Sequence, residues 1–262
     1  MRNILCVTLI ALLGGCTSTS VTEKYQDKRN DIINVKDKVI EFETGNVLIG
    51  SVSRLYMSNK CLLIADHKSV DKQIHIFNKN DFSYLTSIGN FGEGPEEITV
   101  MGCLAIDEAH HQLYVSDHAK QKIFSYDMDS VMVDSLYKPQ VKTAMNETLF
   151  PSEYQYINDT LSIAVLIKPT STSTFNQFLG RWNMNTGEMI PMKYTHPDIQ
   201  KKRITFAASE KAGIYVECYT RHDLMTICSL DGELLYNIYG PDWDGGNGNK
   251  LQSFGTVMIG ND

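Results

Sequence analysis

Leu113-Tyr114-Val115-Ser116-Asp117-His118, followed closely by Gln121-Lys122-Ile123-Phe124-Ser125-Tyr126-Asp127, is the stretch that decides the fold. Both runs alternate apolar and polar side chains over strand lengths, the period of a β-strand rather than a helix. The same phrase occurs three more times. Leu62-Leu63-Ile64-Ala65-Asp66-His67 leads into Gln73-Ile74-His75-Ile76-Phe77-Asn78. Leu161-Ser162-Ile163-Ala164-Val165 leads, after a longer loop, into Phe178-Leu179-Gly180-Arg181-Trp182-Asn183. Ile214-Tyr215-Val216-Glu217-Cys218 leads into Met225-Thr226-Ile227-Cys228-Ser229-Leu230-Asp231. The four phrases start at 62, 113, 161 and 214, which are 51, 48 and 53 residues apart.

Each phrase ends in a turn rich in Asn, Asp or Gly: Asn78 to Asp81, Asp127 to Ser130, Asn185 to Gly187, Asp231-Gly232. These residues tolerate left-handed backbone and bond to their own main chain. A further apolar run follows each turn, at 84–88, 131–136, 188–190 and 234–239. A weaker one precedes each phrase, as in Cys103-Leu104-Ala105-Ile106-Asp107. Four antiparallel strands in a repeat of about 50 residues make one blade of a β-propeller. The expected fold is therefore all-β, a propeller of four-stranded antiparallel blades. No stretch carries a helical period with caps. Four blades and a stub, Gln252 to Ile259, are recognisable.

Ile88-Gly89-Asn90-Phe91-Gly92-Glu93-Gly94-Pro95-Glu96-Glu97, followed by the phrase at 113–127, resembles the six-bladed, TolB-like propeller lipoproteins of Bacteroidetes. The blades are also similar to NHL repeats. The resemblance covers roughly residues 45 to 240 and is clearest over 86–136. Six blades of this size need about 300 residues. Three readings stay open: a C-terminally truncated relative, a smaller closed ring, or short blades that the pattern misses. The early runs Val39–Phe42 and Val47–Leu55 belong either to the first blade or to ring closure.

The N-terminus carries a second signal. Arg2 is followed by the apolar run Ile4 to Leu13 and then by Leu13-Gly14-Gly15-Cys16. The run is too short to span a bilayer and suits a signal peptide. The last four residues resemble a lipobox, which implies cleavage before Cys16 and lipid on its thiol. More than one acyl chain gives stable anchoring. The expected organisation is a signal peptide at 1–15, the lipidated cysteine and a polar tether at 16–38, and the propeller domain at 39–262. The expected location is the cell envelope, anchored by lipid to the outer membrane and facing the periplasm, because Thr17-Ser18-Thr19-Ser20 lacks an acidic export run.

Without residues 1–15 the chain holds 23 positive and 31 negative charges, a balance of −8. An acidic chain whose one basic run is Lys201-Lys202-Arg203 is not expected to bind nucleic acid. Four cysteines remain besides Cys6 and Cys16: Cys61, Cys103, Cys218 and Cys228. They form no C-x-x-C pair, so no zinc pattern is present. Free, buried thiols are the expected state. A Cys218–Cys228 bridge across a hairpin is the alternative.

Asp66-His67 and Asp117-His118 recur at one blade position. Histidine with carboxylate suits metal binding or proton transfer. A carboxylate at the end of a strand also fixes the following turn by accepting backbone N–H bonds, and this is the expected role. Blades 3 and 4 carry Leu166-Ile167 and Tyr219-Thr220 there. His110-His111 reads as a solvated hairpin turn. Gly92-Glu93-Gly94-Pro95 lacks the Lys-Ser/Thr end of a phosphate loop and reads as an inter-blade turn. Asp242 to Asn249 misses the spacing of a calcium loop. Trp243, expected to be exposed, is a candidate for stacking on a sugar or peptide. No Gly-x-Ser-x-Gly turn is present and no catalytic residue is assigned. The expected function is a binding or scaffold module for a protein, peptide or glycan. No cofactor is expected in that role. The rival is a calcium-dependent lactonase- or lyase-like propeller enzyme, for which Asp107 is the sole inner-strand candidate.

Overall fold

The computed structural model describes residues 21–28, 33–134, 136–199, 203–249, 254–255 and 257–259. Residues 1–15, read as a signal peptide, and Cys16 lie outside the described residues. A short edge strand, β1 (Glu23–Tyr25), comes first. Blade 1 is β2 (Ser53–Met57), β3 (Cys61–Asp66), β4 (Lys72–Asn78) and β5 (Tyr84–Asn90). Blade 2 is β6 (Met101–Asp107), β7 (Gln112–Asp117), β8 (Lys122–Asp127), a helix α1 (Met128–Val133) and β9 (Gln140–Ala144). Blade 3 is β10 (Phe150–Asn158), β11 (Leu161–Pro169), β12 (Phe175–Trp182) and β13 (Met189–Pro191). Blade 4 is β14 (Ile204–Ser209), β15 (Ile214–Tyr219), β16 (Leu224–Ser229) and β17 (Leu234–Tyr239). In each blade the strands pair antiparallel in chain order. No helix among the described residues is long and apolar enough to cross a membrane.

Where both faces of a blade are covered, the middle strands are buried over nearly all their length. β3 and the core of β7 show this. Alternate side chains then serve alternate seams. Leu63, Ile74 and Ile76 of blade 1 meet Leu104, Leu113, Val115 and Phe124 of blade 2. On its opposite face blade 2 offers Cys103, Ala105, Tyr114 and Ile123 to Tyr154, Tyr156, Ala164 and Trp182 of blade 3. Ile163, Val165 and Leu179 meet Ile204, Tyr215, Tyr219 and Leu224 across the last seam. Each fully buried side chain of this size contributes roughly 1.5–3 kcal/mol.

Polar clamps fix the inner strands. Gln155 of β10 bonds both ways with the Ala208 backbone of β14, at 2.7 and 2.8 Å. Arg54 of β2 reaches Glu153 of β10 at 2.7 Å, linking blades 1 and 3. Lys120 donates to the carbonyls of Gly92, Gly94 and Glu97, which holds the inter-blade turn in shape.

Four local expectations are revised. First, the run Val131–Leu136 does not form the fourth strand of blade 2. Asp127 accepts a bond from the Ser130 amide at 2.7 Å and caps α1, and Val131 is buried beneath the helix. The fourth strand is β9, further on. Second, of Val39–Phe42 and Val47–Leu55, only the end of the latter is a strand. Phe42 stacks on Phe82 at 4.5 Å, and Val47 and Ile49 pack on Leu62, Ile64 and Phe77. This segment therefore covers the outer face of blade 1. Third, Glu23–Tyr25, within the stretch read as tether, pairs parallel with β17. Glu23 accepts bonds from Tyr239 and Asn237. Fourth, the described residues of the C-terminal stub form no strand.

Candidate functional site

The two ends of the blades use Asp and His differently. At the end where the second strand of a blade finishes, Asp66 accepts the amides of Gly50, Lys68 and Ser69 at 2.7–3.2 Å. Gly50 is required for that approach, because a Cβ there would lie 2.8 Å from Asp66 Oδ1. Asp117 accepts the amides of Thr99, Val100, Ala119 and Lys120. Burial alone would raise the Asp66 pKa, yet the three amides outweigh it and hold the carboxyl below the usual carboxylate range. His67 Nδ1 lies 3.1 Å from the Met101 carbonyl, which opens the inner strand of blade 2. His118 makes the equivalent bond to the Pro151 backbone of blade 3. Burial lowers the pKa of both imidazoles. These four residues tie turns and blades together.

The opposite end carries the hairpin turns between first and second strands. There a cavity of about 470 Å³ opens between blades 1 and 2. Leu63, Leu85, Ile106, Leu113, Met128 and Met132 form its apolar lining; Asn59, Glu108, His111 and Asp129 are among the polar residues around it. Helix α1 makes this space. It replaces the tight turn found in the other blades and contributes both methionines. His111 anchors it. Its backbone is left-handed, with φ 53°, its carbonyl accepts the Met128 amide at 2.8 Å, and its Nδ1 lies 2.8 Å from Asp129 of the helix. Glu108 accepts the Asn59 amide at 2.7 Å and stitches the two hairpins together.

A second group lies on the neighbouring seam. Asp107 ends β6 with its side chain turned towards blade 3, and the residue is 2% exposed. His110 Nδ1 is 2.8 Å from Asp107 Oδ2, and the Tyr114 hydroxyl donates to the same oxygen at 3.4 Å. The hairpin turn of blade 3 brings Asp159 alongside. Tyr156 donates to Asp159 at 2.7 Å and also interacts with Asp107. The sequence reading singled out Asp107 but left His110 in a solvated turn and did not single out Asp159. The available signal was positional: 107–111 and 158–160 are the same hairpin in successive blades.

Trp243 is half-buried, not exposed. It packs against Tyr239, His196 and His222 at ring distances of 4.9, 5.6 and 6.0 Å. It therefore offers no open platform for a sugar. Asp244 accepts the Gly248 and Asn249 amides and folds its own loop. The four cysteines are free and buried. Cys218 and Cys228 do not face each other, because their strand partners are Met225 and Tyr215. Burial pushes the Cys103 and Cys218 thiols up to about 12 and Cys228 to about 11, so none is a ready nucleophile.

A family model described as a 6-bladed β-propeller (DUF5128) matches residues 17–216. The chain belongs to this six-bladed β-propeller family. Among the described residues it presents four of the family's blades. This propeller is similar to a Bacteroides fragilis protein named as exported, with 14% identity and a TM-score of 0.49 over 84% of this chain and 59% of that one. It is similar to a Bacteroides vulgatus member of the DUF4221 family, at 12% identity and TM-score 0.49 over 70% and 56% of the two chains. A chain of the nidogen/laminin complex has 10% identity and TM-score 0.45, over 70% and 64%. The chain thus spans between half and two thirds of the length of these structures. No curated protein matches the sequence.

Proposed function

We propose that this chain is a lipid-anchored, extracytoplasmic binding module whose ligand is a peptide segment that inserts an aliphatic side chain between blades 1 and 2. The observation that carries the reading is the cavity. Its volume of about 470 Å³ lies within the roughly 300–1,000 Å³ of ligand sites, and it combines an apolar floor with polar groups at its rim. Among the described residues no Phe, Tyr or Trp lines it. A glycan would find no indole, phenol or phenyl platform there, whereas a Leu or Met side chain fits the apolar floor. Glu108 and Asp129 outnumber Lys60 around the cavity, which favours a neutral or basic peptide. The anchor is supported by the charge, apolar run and Leu13-Gly14-Gly15-Cys16 of the N-terminus.

The enzyme alternative needs acidic side chains gathered from successive inner strands. On the inner strands β2, β6, β10 and β14, the acidic residues are Asp107 and Glu153. Asp107 turns into the seam with blade 3, and Glu153 pairs with Arg54. The binding reading is therefore preferred.

The test is a phage-displayed random heptapeptide selection on the full chain in detergent micelles, with Met132→Trp as counter-target. Met132 is 37% exposed, so the indole fills the cavity mouth without entering the core. Enriched peptides are expected to carry Leu, Ile or Met and to lose most of their affinity for the variant. Equal binding to both proteins, or no enrichment over empty micelles, would reject the proposal.

A further inference from the structure

Two carboxylates and one imidazole face each other across the seam of blades 2 and 3. The ligating atoms of Asp107, His110 and Asp159 all lie within 4.8 Å of one another. We propose that these three residues bind one divalent transition-metal ion of the zinc type. The inference is independent of the peptide reading and of the anchor.

Charge balance is the first argument. Asp107 is 2% exposed, and its carboxylate meets the His110 imidazole at 2.8 Å, the His110 amide at 3.2 Å and the Tyr114 hydroxyl at 3.4 Å. Asp159 adds a second negative charge nearby, and its direct partner is the Tyr156 hydroxyl. With a neutral imidazole the group carries two negative charges, and even a protonated one leaves it negative. A divalent cation would neutralise it. Lys142, whose ammonium lies over the Tyr114 ring at 5.6 Å, supplies one positive charge beside the group, fewer than its two carboxylates carry.

Orientation is the second. Tyr156 interacts with both carboxylates, and Tyr114 donates to Asp107. Both phenols are almost fully buried, at 9% and 3% exposure. Outer hydrogen bonds of this kind hold metal-ligating carboxylates in place. The framework is rigid as well, because Tyr114 and Tyr156 sit on strands in the buried seam.

Donor type and spacing choose the metal. Calcium takes six to eight oxygens, whereas an imidazole with carboxylates suits zinc and its neighbours. Zinc–ligand bonds of about 2.0–2.2 Å in a tetrahedron place ligand atoms about 3.4 Å apart. The 2.8 Å separation of His110 Nδ1 and Asp107 Oδ2 needs to open by only a few tenths of an ångström. His110 and Asp159 are both exposed, which leaves their side chains room to turn towards an ion.

Cobalt(II) is the probe, because its visible absorption reports coordination number. The full chain in detergent micelles is titrated with CoCl2 alongside His110→Gln, Asp159→Asn and the control His111→Gln, with far-UV circular dichroism confirming the fold of each. The expected result is one Co²⁺ per chain with four-coordinate intensity, displaced by Zn²⁺ and not by equimolar Ca²⁺. His110→Gln and Asp159→Asn should each weaken binding roughly tenfold or more, and His111→Gln should leave it unchanged. Absence of Co²⁺ absorption in the wild-type chain, binding indifferent to both site variants, or displacement by equimolar Ca²⁺ would overturn the assignment.

Discussion

Two ends of the same blades carry the same residue types to opposite purposes. At one end Asp66-His67 and Asp117-His118 repeat in register; both carboxylates go to turn amides, and His67 Nδ1 goes to the main chain of the next blade. At the other end Asp107, His110, His111, Asp129 and Asp159 do not repeat, and their side chains meet one another beside a cavity. A polar pair that recurs from blade to blade marks what the architecture needs. A polar group found on one seam alone marks what this chain adds to it.

The largest effect expected from this contrast is structural. Asp117 is fully buried and serves four amides. Asp117→Ala leaves those donors without their acceptor and should cost about 3–5 kcal/mol, read as a fall in the urea midpoint. Asp66→Ala removes three such bonds and should cost somewhat less. A near-neutral Asp117→Ala would break the comparison at its firmest point.

Acid should act next, and from the same end. Burial holds the pKa values of His67 and His118 below the ordinary histidine value. The unfolded chain therefore binds more protons than the native one as pH falls through about 6.5. Stability contributed by these neutral imidazoles is complete above that pH and is lost progressively below it. Thermal midpoints should drop between pH 7.5 and 5.5, and His118→Gln should flatten part of that slope. Asp66 adds a second step at lower pH. Its depressed pKa contributes stability that is present above about 4 and disappears as pH falls through the native value.

The hairpin end should be quiet in stability. His111–Asp129 is an exposed pair, and such pairs contribute about 0–1 kcal/mol. Asp129→Asn should shift the urea midpoint by no more than that, and His110→Gln, which removes an exposed imidazole, should leave it close to the wild-type value. If either destabilises the chain as much as Asp117→Ala, the hairpin cluster is architecture as well, and the contrast between the ends disappears.

Much of the fold was legible because blades are local and repetitive. Phrases such as Leu113–Asp117 and Ile123–Asp127 show the period of two, and their spacing gives the blade. The fourth strand of blade 2 was not legible. Val131-Met132-Val133 is short and apolar enough to read as a strand, and the local cap by Asp127 onto Ser130 gives a helix only together with the burial of Val131 among residues of blades 1 and 2. The strand at Glu23–Tyr25 was hidden in a charged stretch because its pairing partner lies more than two hundred residues away. The site was less readable still. Asp107 and Asp159 are neighbours only because two hairpins stack across a seam, and the cavity exists only because α1 stands beside β5. Pattern in one dimension reports the strand that a residue occupies, not the neighbour that a seam supplies.

Methionine methyl groups label both ends and decide between them. Met128 and Met132 line the cavity, and Met101 sits at the opposite end, where its carbonyl meets His67. The measurement is a methyl-TROSY titration of the full chain, labelled at methionine Cε, with the highest-affinity heptapeptide from the selection. Shifts at Met128 and Met132 with Met101 unmoved are the predicted result. A shift at Met101 with both cavity methyls unmoved would contradict the account and return the ligand to the Asp–His end.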